Sequence, residues 1–228
     1  MIKIGCCGWN YIKGKGDKLI NYANIFDVVE INSTFYNLPK PSTAEKWREK
    51  VDNINKDFEF TVKAYKGITH VNRFSGHSIN EFNETLQIAK NLRANIILLQ
   101  CPQSFMPTKD NIEKLKSFLN KIKNKGIKVA LELRWHEWEQ YFKEIFAYKW
   151  LLHATDPFRL DSYRKDICYF RLHGFGRGLM YNYKFSDAEL KKLLNIAKRF
   201  KNGYIFFNNF YMYEDALRFI KLLKKSDN

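Results

Sequence analysis

Eight short runs rich in β-branched and aromatic residues recur along the chain: IKIGCC (2–7), VVEINST (28–34), EFTVKA (59–64), NIILLQC (95–101), IKVALEL (127–133), KWLLHAT (149–155), ICYFRLH (167–173) and YIFFNNF (204–210). Such runs read as buried strands. Most are separated by stretches with helical spacing of apolar positions, at 17–24, 43–51, 80–92, 109–124, 137–147, 186–200 and 213–224. Ser42 or Thr43 marks a helix start, and Ser186 with Glu189 has the spacing of a capping box. DPFRLDSYRKD, between the sixth and seventh strands, reads as a loop rather than a helix. Eight strands alternating with seven helices, without a linker or low-complexity stretch, predict a single (β/α)8 TIM-type barrel over residues 1–228. A doubly wound open sheet is the competing arrangement, but no GxGxxG follows the first strand.

Polar residues interrupt this pattern at the ends of the strands: Glu30 and Asn32, Lys63, Gln100, Glu132 and Arg134, Asp156, Arg171 and His173, Asn208 and Asn209. An unpaired charge on a buried strand costs stability, so its recurrence on strand after strand points to a shared pocket. In a (β/α)8 barrel the site lies at the C-terminal ends of the strands, where alternate side chains face the interior. Glu30 with Asn32, Glu132 with Arg134, and Arg171 with His173 are each two residues apart, which sends each pair towards one mouth.

The segments GCCGWNY (5–11), VEINSTFYNLP (29–39), FTVKAYKGITHVNRF (60–74), LLQCPQSF (98–105), ALELRWHEW (130–138), CYFRLHG (168–174) and FFNN (206–209) resemble, in order, those of the YecE-like family, a domain of unknown function. The resemblance covers nearly the whole chain and rests most on VEINSTFY and YFRLHG. It implies a TIM barrel and carries no established activity, only a suggested link to metal-dependent barrel nucleases and nucleic-acid binding. The chain departs from the family pattern in a short first loop, KGKGDK, and after strand five. There the family reads Glu-x-Arg-His, whereas here Trp135 follows Arg134 and the histidine is His136.

Composition adds a net charge of +15. That excess suits an anionic partner, a phosphate-bearing ligand or single-stranded nucleic acid, because neutralised phosphates release counterions. Much of it is lysine spread over helices, which equally describes a solvated surface. Cys6, Cys7, Cys101 and Cys168 lack metal-binding spacing and read as reduced thiols packed on strands, which suits a cytoplasmic location. MIKIGCCGW is too short for a signal-peptide core, and no apolar run suits a membrane span. Oligomeric state is not written in the chain.

Two chemistries use the same polar set. Glu30, Glu132, Asp156 and His173 are the candidate catalytic groups, and could hold a divalent metal that activates water. Lys63, Arg134 and Arg171 among them favour ion pairs instead, leaving a metal-free site in which Arg134 and Arg171 clamp a phosphate while Glu132 or His173 moves a proton. Gln100, Asn32, Asn208 and Asn209 are candidate substrate contacts, as are His70 in the loop after strand three and Arg177 and Tyr183 in the glycine-rich HGFGRGLMYNY. Trp9, Tyr36 and other aromatics just after the strands can stack a base or a sugar, with about half of them expected to be structural. The expected function is binding of a phosphate-bearing substrate, with hydrolysis of a phosphoester. A non-catalytic nucleic-acid-binding module and a sugar or sugar-phosphate isomerase or lyase are the alternatives.

Overall fold

The computed structural model describes residues 1–175 and 181–226. Eight parallel strands close into one barrel in sequence order: β1 (Ile2–Cys6), β2 (Val28–Ile31), β3 (Glu59–Lys63), β4 (Ile96–Gln100), β5 (Lys128–Glu132), β6 (Leu151–Thr155), β7 (Ile167–Leu172) and β8 (Asn202–Phe207), with β8 pairing back onto β1. Around them run α1 (Lys18–Ala23), α2 (Pro41–Asp52), α3 (Ser78–Asn91), α4 (Lys109–Ile122), α5 (Phe142–Ile145), α6 (Asp187–Ala197) and α7 (Met212–Ser226). Residues 156–166, between β6 and β7, contain turns and no helix. No helix among the described residues is long and apolar enough to cross a membrane.

The period of two along each strand sorts the side chains into two layers. Val28, Ile96, Leu98, Ala130, Leu152, Ala154, Tyr169 and Phe206 fill the barrel interior. Their neighbours Val29, Ile97, Val129, Leu131, Leu151 and Phe170 pack outward with the helices. His153 belongs to the outer layer, between Phe142 and Phe146, where its Nδ1 accepts the Tyr163 amide at 3.0 Å. All four cysteines are free and buried.

Several boundaries differ from the sequence pattern for local reasons. Helix α2 starts at Pro41, whose fixed φ and missing N–H suit the first turn, rather than at Thr43. The second strand stops at Ile31, because the Thr34 hydroxyl donates to the Lys63 carbonyl at 2.6 Å and turns Ser33–Phe35 into a 3₁₀ helix. The expected helix over 137–147 is a 3₁₀ segment, His136–Tyr141, followed by the single turn of α5. Its i,i+3 spacing brings Trp138 and Tyr141 edge to face while the Trp138 indole donates to the Phe105 carbonyl. The Ser186–Glu189 capping box is formed at the start of α6.

Gly5 shows how closely β1 approaches β2: a Cβ there would overlap the Val28 carbonyl oxygen. Gly5→Ala is therefore expected to push the two strands apart and destabilise the fold by about 1–3 kcal/mol or more, as overpacked cores do. Urea denaturation followed by circular dichroism checks this; an unchanged midpoint would contradict the close approach.

Candidate functional site

Below the mouth, the barrel interior holds a closed charged layer. Arg171 is fully buried, and its Nε and Nη2 grip Glu30 at 2.8–3.1 Å while Nη1 donates to Glu132 Oε2 at 2.6 Å. Glu30, also fully buried, accepts further bonds from the Tyr169 hydroxyl (2.8 Å) and the Cys7 thiol (3.0 Å). Its acceptors are thus occupied from inside the barrel and no ligand reaches it. The expected catalytic role of Glu30 and the expected phosphate clamp of Arg171 do not fit this burial; the pair ties β2 to β7. Burial opposes the charge on Arg171, and Glu30 and Glu132 outweigh that and hold it cationic.

Glu132 stands at the boundary between this layer and the mouth. Its Oε1 accepts from Arg134 Nε at 3.1 Å, so both oxygens are engaged. Burial raises its carboxyl, but Arg171 and Arg134 prevail and hold it well below the usual carboxylate range. A permanently ionised, doubly paired carboxylate is a poor proton donor or acceptor, so the expected general acid or base role moves elsewhere.

Above Glu132 opens a small cavity of about 100 Å³, lined in part by Arg134, Asp156, Arg159, His136 and His173. Asp156 continues the inward face of β6. Burial pushes its carboxyl up to about 6, against the Phe158 amide (3.1 Å to Oδ1) and the Arg159 guanidinium, which favour the ionised form. His173 Nδ1 is 3.9 Å from Asp156 Oδ2, too far for a hydrogen bond, and Nε2 is buried without a partner among the described residues. Burial and the Arg171, Arg134 and Arg159 charges push the His173 imidazole down to about 3. Arg134 gives only Nε to Glu132, and no further hydrogen bond of its guanidinium falls among the described residues. Arg159 donates to the Gly174 carbonyl at 2.9 Å and approaches Asp156 at 3.7 Å.

Across the mouth, over β8, β1 and β2, lies a larger cavity of about 620 Å³ whose lining, among the described residues, contains no charged side chain. Trp9, Asn32, Tyr36, Asn208, Asn209 and Phe210 are among its walls. Trp9 is held edge to face on Trp47, and Asn32 Nδ2 points to Asn208 Oδ1 at 3.5 Å.

The remaining candidates scatter. Lys63 sits between the halves with Nζ 4.1 Å from the Phe35 ring centre; burial, then Arg171, lowers it to about 8 despite Glu30 and Glu132. Gln100 is buried opposite Glu132 in the β4–β5 register. His70 lies on a short π-turn, Gly67–Val71, edge to face with Phe35, and is pushed down to about 4 by burial and by Lys63, Arg134 and Arg73. Tyr183 was expected to touch substrate, yet its hydroxyl bonds Glu189 at the start of α6 and its ring covers Gly174, so it braces the loop. Arg177 lies outside the described residues. Of the expected rim aromatics, Phe105 and Trp138 are stacked in the core, whereas Tyr11, Tyr36 and Phe210 are exposed. Sequence reasoning missed Arg159; the only available signal was its position three residues beyond Asp156.

A family model described as "Protein of unknown function DUF72" matches residues 3–228. The chain belongs to this family. The UPF0759 protein YunF of Bacillus subtilis is 27% identical, over 92% of this chain and 89% of its own length. A DUF72 family protein of Enterococcus faecalis superposes with a TM-score of 0.78 at 22% identity, covering 98% of both chains. A D-tagatose 3-epimerase-like protein shares the fold, with a TM-score of 0.68 at 16% identity over 98% of this chain and 96% of its own.

In this DUF72 chain the polar set does not fit a divalent metal. Glu30 and Glu132, the two carboxylates of the buried layer, are both paired with the Arg171 guanidinium, so a cation would have to displace a fixed positive charge. Among the described residues no three His, Cys, Asp or Glu side chains are grouped to hold a metal ion.

Proposed function

We propose that the chain binds a phosphate-bearing substrate in the charged half of the mouth, with Arg134 and Arg159 holding the phosphate and Asp156 transferring a proton beside it. The observation that carries this reading is the excess of cationic side chains there. Arg134, Arg159, Arg171 and Lys63 outnumber Glu30, Glu132 and Asp156, and His70 and His173 are both held neutral by burial and in part by these cations. An anion with several acceptor oxygens supplies the missing charge and satisfies the free guanidinium donors. A carboxyl near 6 changes protonation around neutral pH, as a general acid or base must. With Asp156 taking a proton from it, a bound water attacks phosphorus, the P–O bond to the leaving group breaks and the leaving oxygen takes a proton from solvent; His173, whose Nε2 lacks a partner among the described residues, lines the same cavity.

Calorimetric titration with a phosphate monoester and with a labelled single-stranded oligonucleotide, each followed for cleavage, tests this. Charge-assisted hydrogen bonds contribute about 1.5–3 kcal/mol each, so Arg134→Ala/Arg159→Ala is expected to weaken binding at least tenfold. Oligonucleotide binding that falls steeply with salt, is lost in this variant and shows no cleavage makes the chain a nucleic-acid-binding module. Binding that the double substitution leaves intact contradicts the site.

A further inference from the structure

The two halves of the mouth differ in kind. The charged half is small; the other is several times larger and, among the described residues, aromatic and uncharged, with buried acceptors that have no donor there. Asn209 is 5% exposed, and its Nδ2 donates to the Tyr183 carbonyl at 2.5 Å and to Asp215 Oδ2 at 2.9 Å. Those two bonds fix which end of the amide is nitrogen. Its Oδ1 is therefore a buried acceptor without a donor among the described residues, on a side chain that lines the cavity. Asn32 directs its Nδ2 at Asn208 Oδ1 over 3.5 Å, and its Oδ1 is buried without a donor among the described residues. Buried carbonyl oxygens lose stability without a donor, so two in one cavity mark where a ligand's N–H or O–H groups belong. Above them Tyr36 and Phe210 are 61% and 70% exposed, large apolar surfaces left in water beside a concave site.

We infer that this cavity is a subsite for an uncharged ring, which stacks against Tyr36 and Phe210 and donates hydrogen bonds to Asn32 and Asn209. The ring is the other end of the phosphate-bearing ligand, and this part of the inference rests on the function proposed above. A nucleobase and a pyranose share the required chemistry, a stackable face and donors along the edge. Among the described residues the lining offers no counter-ion for a second charge.

The test compares affinities of inorganic phosphate, adenosine, adenosine 5′-monophosphate, glucose and glucose 6-phosphate for wild type, Phe210→Ala and Asn32→Leu. Phe210 is too exposed for its truncation to threaten folding. One phosphorylated ring is expected to bind more tightly than inorganic phosphate, and whether it is the nucleotide or the sugar identifies the ring. Phe210→Ala and Asn32→Leu should each reduce that gain about tenfold or more, as the loss of a stacking partner does, and leave inorganic phosphate unchanged. If neither ring binds better than inorganic phosphate, or both variants keep the full gain, the subsite is overturned while the phosphate site stands. Conversely, adenosine or glucose bound and lost in Phe210→Ala, with phosphate adding nothing, supports the subsite and removes the phosphate reading.

Discussion

Arg171→Met is expected to destabilise the protein by about 3–5 kcal/mol, enough to leave much of it unfolded, because it strips the counter-charge from two buried carboxylates. Arg171 is fully buried and is the only cation bonded to Glu30 among the described residues, and Glu132 would keep only Arg134. Without Arg171 the Glu132 carboxyl loses the main charge that holds it low, so the deficit of the variant relative to wild type is smaller in acid and grows as pH increases. Neutralising the partners should recover most of the loss. The triple variant Glu30→Gln/Arg171→Met/Glu132→Gln removes all three charges from the layer, and buried ion clusters replaced together cost little or nothing. Urea unfolding of single and triple variants at pH 5 and pH 8 measures both effects. A single variant within about 1 kcal/mol of wild type would mean that the layer is not the closed network described.

Asp156→Asn is expected to have the opposite sign, stabilising the fold while removing proton transfer. The carboxyl has an ordinary value of 3.8 and is raised to about 6 by burial. Between these values the folded state binds more protons than the unfolded chain, so this group's contribution falls as pH rises through the window and stays low above it. At pH 8 the wild type carries a penalty on the order of 3 kcal/mol, which the uncharged amide avoids. Asn retains an oxygen for the Phe158 amide, so local geometry is kept. The gain should appear at pH 8 and vanish near pH 4, measured as the difference in unfolding free energy between variant and wild type. A variant less stable than wild type at pH 8 would show that Asp156 serves the fold. Stability withheld at one buried carboxyl, beside the Arg159 guanidinium, is what a site kept for chemistry looks like.

The barrel was legible in the chain because its two periods are simple: alternation along strands, 3.6 between them. The inward direction of the polar residues was legible for the same reason. Depth was not. Glu30 and Asn32 share a face and differ by one step of the alternation, yet the first is sealed in the barrel and the second lines a cavity. Their levels depend on the stagger between neighbouring strands, Glu30 beside Thr61 and Arg171 beside Phe206, which a single chain does not display. Arg159 was invisible for a different reason. Its place at the mouth depends on a bond to the Gly174 carbonyl, a long-range contact between loops with no periodic signature. Among the aromatics, Phe105 and Tyr36 both follow strands; only the packing of Trp138 and Phe74 on Phe105 tells the core ring from the exposed one.

The affinity of a phosphodiester probe such as dimethyl phosphate, measured from pH 5 to pH 8 in wild type, Asp156→Asn and Arg134→Ala, tests the central claim most directly. The probe keeps one negative charge across the range, so any pH dependence belongs to the protein. With an anion seated between Arg134 and Arg159, ionising Asp156 adds a like charge beside it. Wild-type affinity should therefore fall as pH rises through about 6, stay level in Asp156→Asn, and be weakened throughout in Arg134→Ala. Absence of binding, or binding that neither substitution changes, would contradict an anion site in the charged half of the mouth.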